Sequence, residues 1–138
     1  MTESLLDQAD KSLPKLSYAV ELQAEAAKVG FDWDHVDGVI AKVHEELNEV
    51  IAEIDTENNE QRLLDEMGDL LFICSSLARH LNVDPQQAIE HANQKFYRRF
   101  AHVEQLAKAN NQTMEECTTP ELDVFWNEVK RLEKLAKP

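Results

Sequence analysis

The sequence predicts an all-α protein of about five helices, in which an antiparallel helical hairpin completes a four-helix-bundle-like core across a dimer. Three observations predict it. Apolar residues recur at three- and four-residue spacings over long stretches, the mark of one buried helix face. No stretch of useful length alternates apolar and polar residues as a half-buried strand would. The breaks between stretches are short and carry Gly30, capping residues or prolines.

The elements follow in order. Residues 1–12 are polar and acidic and read as a flexible lead; residues 13–138 form the domain. Pro14 opens a first helix that runs to about Val29 on Leu16, Ala19, Val20, Gln23, Ala26 and Ala27, and Gly30 ends it. An aromatic connector, Phe31-Asp32-Trp33-Asp34, supplies Asp32 or Asp34 as the cap of the next helix. That helix runs to about Asp55 with a stripe of Val36, Ile40, Val43, Leu47, Val50, Ile51 and Ile54.

After the polar turn Thr56 to Asn59, a third helix spans about Glu60 to Leu81 on Leu63, Leu64, Met67, Leu70, Leu71, Cys74, Leu77 and Leu81. Two long striped helices joined by so short a break imply an antiparallel hairpin. Asp84 suits an N-cap and Pro85 the first position of a fourth helix, to about Ala109. A polar connection with a turn at Thr113 to Glu116 leads to Thr119-Pro120, which repeats the cap-plus-proline signal and opens a last helix to about Leu135.

Composition bounds the function. The 138 residues are one domain's worth, and the formal net charge of -13 argues against a general nucleic-acid or anionic-membrane surface. The excess acid reads as solubility, partly neutralised by bound divalent metal. Cys74, in an apolar run, is expected in the core, and Cys117 in a loop or at a helix end; neither has zinc or redox spacing. No signal-peptide pattern opens the chain and no run of about eighteen apolar residues occurs, so the expected compartment is the cytoplasm.

The acids are the informative feature. Glu45-Glu46-Leu47-Asn48-Glu49 and Asp65-Glu66-Met67-Gly68-Asp69 repeat one pattern on successive helices. From Leu47, Glu46 and Glu49 lie about 100° and about 160° round the same side, and from Met67, Glu66 and Asp69 fall at the same angles. An antiparallel hairpin or a dimer can therefore gather Glu46, Glu49, Glu66 and Asp69 into one carboxylate cluster, with Glu45 and Asp65 further round to orient ligands or poise a water. One Glu-x-x-Glu is ordinarily a solvated face; two copies in matching phase favour a metal site. All-oxygen donors favour Mg2+, with Mn2+ as the other hard cation, over a di-iron centre, which uses Glu-x-x-His.

A second constellation sits on the fourth helix. Asn93, Lys95, Arg98 and Arg99 crowd together among Phe96, Tyr97 and Phe100. They either pair with surplus acids or bind phosphate oxygens. Trp126, with Lys130 and Arg131 beyond it, could stack on a base or pack in a core, and Trp33 carries the same two readings.

Glu45-Glu46-x-x-Glu49 followed by Glu66-x-x-Asp69 resembles the motif of the all-α nucleoside triphosphate pyrophosphohydrolases. Gly30-Phe31-Asp32-Trp33-Asp34, Glu66 to Phe72, Leu77 to Leu81, Ala92 to Phe100 and Trp126-x-x-Val129-Lys130 resemble, more narrowly, the catalytic C-terminal domain of MazG proteins. The resemblance runs from about Leu13 to Glu133. It implies a magnesium-dependent enzyme that splits a nucleoside triphosphate into monophosphate and pyrophosphate. Residue by residue, it implies Glu46, Glu49, Glu66 and Asp69 as metal ligands, Lys95 and Arg99 as phosphate contacts, and Trp126 and Lys130 as holders of the nucleotide; Arg98, from the same basic cluster, is a further candidate phosphate contact.

Glu45 or Glu49 is the candidate to accept the attacking water's proton. The resemblance also implies a homodimer or higher homo-oligomer. The alternatives are a specialised dUTP or dCTP pyrophosphatase and a non-catalytic nucleotide sensor. MazG proteins often carry two such domains, whereas one copy is present in this sequence.

Overall fold

The computed structural model describes residues 3–137 and, among them, contains five α-helices and no strand. These are α1 (Lys15–Ala27), α2 (Val36–Glu53), α3 (Glu60–His80), α4 (Pro85–Ala109) and α5 (Thr119–Ala136), with 3-10 turns at Leu5–Gln8 and Met114–Glu116. The residues up to Ala88 and those from Ile89 onward form two compact units.

In the first unit α2 and α3 pair as the expected antiparallel hairpin, and α1 packs on α3. The hairpin turn is held from both sides. Asn59 Nδ2 donates to the carbonyls of Glu53 (2.6 Å) and Ile54 (3.3 Å), satisfying groups that the end of α2 leaves open, and Arg62 Nε meets Glu53 Oε2 at 2.8 Å. Gly30 stops α1 at φ +86°, where the Phe31 amide reaches back to the Ala26 carbonyl at 3.1 Å. Asn82 closes α3 with the same six-residue bond, from the Val83 amide to the Ala78 carbonyl at 2.8 Å.

Several expectations shift. His35, not Asp32 or Asp34, caps α2, its Nδ1 accepting from the Asp37 amide at 3.2 Å. Asp32 is occupied elsewhere, by Arg79 and His80. The lead expected to be flexible carries the turn Leu5–Gln8, with a reciprocal Ser4–Asp7 capping box, and its Ala9 is buried. Cys74 is exposed rather than in the core. It shares that fate with Ile40, Leu47, Ile51, Ile54, Leu64, Met67 and Leu71, all exposed. The stripes of α2 and α3 are wider than the hairpin seam needs, so part of each faces away from the partner helix.

In the second unit, Val103, Ala107 and Val129 are buried. Thr118, one residue before the expected cap, receives the Glu121 amide at 3.3 Å and closes a capping box with the Glu121 carboxylate; Pro120 follows within the first turn of α5. Asp84 caps α4 as expected, accepting from the Gln86 amide at 2.9 Å.

Candidate active site

The antiparallel pairing of α2 with α3 brings the two acidic motifs face to face. Glu46, Glu66 and Asp69 each offer a carboxylate oxygen within 4.8 Å of the other two. An octahedral magnesium site with bonds of about 2.1 Å spans about 4.2 Å between opposite oxygens, so a modest closure of these side chains would fit them to one ion. The donor set is all carboxylate, which suits a hard cation and lacks the imidazole and thiolate donors that zinc and copper favour.

The electrostatics agree. Partial burial, and then the charges of Glu49, Asp65, Asp69 and Glu46, push the Glu66 carboxyl above its ordinary range. Burial and the charges of Asp65 and Glu46 do the same to Asp69, with Lys42 opposing. Three of the four carboxylates expected as ligands therefore converge to within 4.8 Å. Glu49 is close enough to add its charge to Glu66, but it is not among the three converging oxygens.

Glu46 and Asp69 also form part of the wall of a cavity of about 680 Å3 within the first unit. Leu22 and Ala26 of α1, Phe31 and Trp33 of the connector, and Phe72 and Ile73 of α3 make its apolar walls. Gln23, Asp32 and Arg79 add polar groups. Gln23 Nε2 donates to Ser75 Oγ at 2.9 Å, and Asp32 accepts from Arg79 Nη1 at 3.2 Å and meets His80 Nε2 at 3.0 Å. The Arg79 guanidinium, foremost, holds the Asp32 carboxyl down to about 2. A cavity apolar along its sides and acidic at one wall has the size and polarity of a small-molecule site.

Sequence reasoning did not single out Gln23, Asp32, Arg79 or Lys42 for this site. Lys42 had a usable signal, because it precedes Glu45 and Glu46 by three and four positions and so shares their helix face. Its Nζ lies 2.9 Å from Glu45 and 3.1 Å from Glu46.

The basic residues lie in the second unit. Arg99 donates through Nε and Nη2 to Glu133 at 3.0 and 2.9 Å and sits 5.8 Å from the centre of the Trp126 ring. Arg98 approaches the same carboxylate at 3.9 Å, and the paired arginines hold Glu133 below the ordinary glutamate range, Arg99 foremost. Trp126 packs against Phe96 with ring centres 5.8 Å apart. Lys95 is half-buried and Lys130 exposed. Both readings of this cluster therefore keep a foothold: Arg99 is an internal ion pair, while Arg98 and Lys130 keep exposed side chains.

An all-helical unit that brings three carboxylates together beside a cavity has the donor set that a hard cation takes. The chain matches the MazG nucleotide pyrophosphohydrolase domain over residues 35–104, about half of its length, and belongs to that family. It is 41% identical over 131 residues to the nucleoside triphosphate pyrophosphohydrolase of Escherichia coli (strain K12), covering 94% of this chain and 50% of that protein. It is 38% identical over 127 residues to the nucleoside triphosphate pyrophosphohydrolase/pyrophosphatase MazG of Thermotoga maritima, covering 92% of this chain and 48% of that one. YabN of Bacillus subtilis (strain 168) is 40% identical over 131 residues, 27% of its length. The chain thus spans half or less of the curated relatives it matches.

Proposed function

We propose that this chain hydrolyses nucleoside triphosphates to nucleoside monophosphate and pyrophosphate, cleansing the nucleotide pool. The observation that carries the reading is the convergence of Glu46, Glu66 and Asp69, of which Glu46 and Asp69 line the cavity. Glu46, Glu66 and Asp69, joined by Glu49, would hold Mg2+ or Mn2+. When bound, the cation supplies screening of the phosphate charge and lowers the pKa of the attacking water.

In the reaction, water adds at the α-phosphorus, the bond from that phosphorus to the α,β-bridging oxygen breaks, and the pyrophosphate leaves with the bond's electron pair. Glu49 is the proposed proton acceptor in preference to Glu45, because Glu45 is tied to Lys42 at 2.9 Å. The apolar walls would take the nucleoside end. On the resemblance, Lys95 and Arg99 are proposed as phosphate contacts and Trp126 and Lys130 as nucleotide contacts, with Arg98 added from its place in the same basic cluster and Glu133 ordering Arg99 within its own unit.

We also propose a homodimer. Leu47, Ile51, Ile54, Leu64, Met67 and Leu71 leave an apolar band on the hairpin that water would otherwise meet. Among the described residues no helix is long and apolar enough to cross a membrane.

The test is product identification after incubation with each common NTP and dNTP, with and without Mg2+. Monophosphate plus pyrophosphate is expected, with loss of at least about 100-fold in Glu46→Ala and Asp69→Ala proteins that still fold. Diphosphate plus orthophosphate would refute the reaction. Binding without turnover would favour the sensor, and turnover of dUTP or dCTP alone the specialised enzyme.

A further inference from the structure

Lys42 is the cation of the acidic wall. It lines the cavity with Glu46 and Asp69, and its side chain is 33% exposed while that of Glu46 is 12% exposed. Its ammonium carries three N–H groups, of which two find partners among the described residues, the Glu45 and Glu46 carboxylates. Its charge also reaches Asp69, where it is the one influence that opposes the crowding of negative charge.

This placement has two opposite consequences. Toward a divalent cation arriving alone, a resident positive charge beside Glu46 is a competitor and a source of repulsion. Toward a triphosphate, the same ammonium on a flexible stem is an attractive point charge within the cavity. Swinging from carboxylate to phosphate frees Glu46 for the ion and neutralises the incoming chain, so each ligand removes what hinders the other.

We propose that Lys42 is the exchangeable counter-ion of this site, trading Glu45 and Glu46 for a phosphate oxygen of the substrate, so that divalent cation and triphosphate bind as a coupled pair. The proposal rests on the pyrophosphohydrolase reading above. Coupling of this kind is reciprocal: Lys42 must weaken cation binding in the absence of nucleotide and strengthen nucleotide binding in the presence of cation.

The experiment is calorimetric titration of the wild-type protein, Lys42→Met and Lys42→Gln with Mn2+ alone, and then with a non-hydrolysable α,β-methylene nucleoside triphosphate at saturating Mn2+. Both substitutions keep a helix-compatible side chain, and thermal unfolding checks each fold. The expected signature is Mn2+ binding tightened by about fivefold and analogue binding weakened by about fivefold or more in both variants. Unchanged affinities, or both ligands weakened together, would overturn the exchange and leave Lys42 as a brace for Glu46. Wild-type protein that binds neither Mn2+ nor analogue would overturn the underlying reading as well. A wild-type protein that binds both, with variants that show no opposed shift, sinks only the role of Lys42.

Discussion

Asp32 and Arg79 form a two-pronged ion pair between the aromatic connector and α3, with Nη2 to Oδ1 at 2.5 Å and Nη1 to Oδ2 at 3.2 Å. His80 Nε2 shares Oδ1 at 3.0 Å. The fork fixes Phe31 and Trp33 where they wall the cavity.

The pair gives the fold a defined acid sensitivity. Asp32 is held at about 2 from its ordinary 3.8, so its stabilisation is complete above about pH 4 and is lost as pH falls toward 2. With the side chain 25% exposed, solvent screening leaves about 1 kcal/mol of this. Urea unfolding of Asp32→Asn should show that deficit at neutral pH, and the two proteins should converge as pH approaches about 2. A deficit that persists unchanged at the acid end would mean that the carboxylate charge is not its source.

Gly38, in the first turn of α2, supports the same wall. A Cβ there would lie 3.0 Å from Trp33 Cε3, closer than the indole can accept without moving. Gly38→Ala should gain about 1 kcal/mol of helix propensity and lose about as much to overpacking, leaving the melting temperature nearly unchanged. The displaced indole should instead appear in substrate binding, with KM raised roughly fivefold and kcat little altered. A normal KM would separate Trp33 from the nucleoside end of the site.

Much of this was readable from residue spacing. Matching phase in the motifs of α2 and α3 located Glu46, Glu66 and Asp69, because helix geometry is regular and a short turn leaves an antiparallel pair as the compact solution. Asp32 was misassigned as a cap: a carboxylate before a helix can serve the helix or a distant arginine, and only the packing of α1 on α3 brings Arg79 within reach. Cys74 was misplaced because an apolar run on one helix does not reveal which of its sides meets another helix. The cavity was invisible, since Gln23, Trp33 and Arg79 come from three separate segments with no periodic signature.

The exposed band on the hairpin predicts the state of assembly. Ile51 and Leu71 are about half exposed, at 54% and 53%. Sedimentation of the wild-type chain should give a dimer, and Ile51→Glu, which places a charge on that band at little cost to a surface helix position, should give a folded monomer. Retention of the dimer in that variant would place the interface elsewhere.

The acidic wall predicts an inverse relation between stability and function. Burial and neighbouring charges raise the Asp69 carboxyl above its ordinary value of 3.8, so its ionised form is a cost to the metal-free fold at neutral pH, and that fold should gain stability as pH falls through the raised value. Asp69→Asn removes the charge and keeps the shape. In chelator it should gain a few tenths of a kcal/mol, about 1 °C in melting temperature. In Mg2+ the order should reverse. At about 100 times its dissociation constant a bound ion adds about 2.7 kcal/mol to the wild-type protein, several degrees, and the variant should forgo most of that gain along with its activity. Scanning both proteins by calorimetry with and without Mg2+ reads all four values. A variant that melts below the wild type in chelator would show that Asp69 is held by favourable contacts in the free protein, and equal Mg2+ increments would remove it from the ligand set.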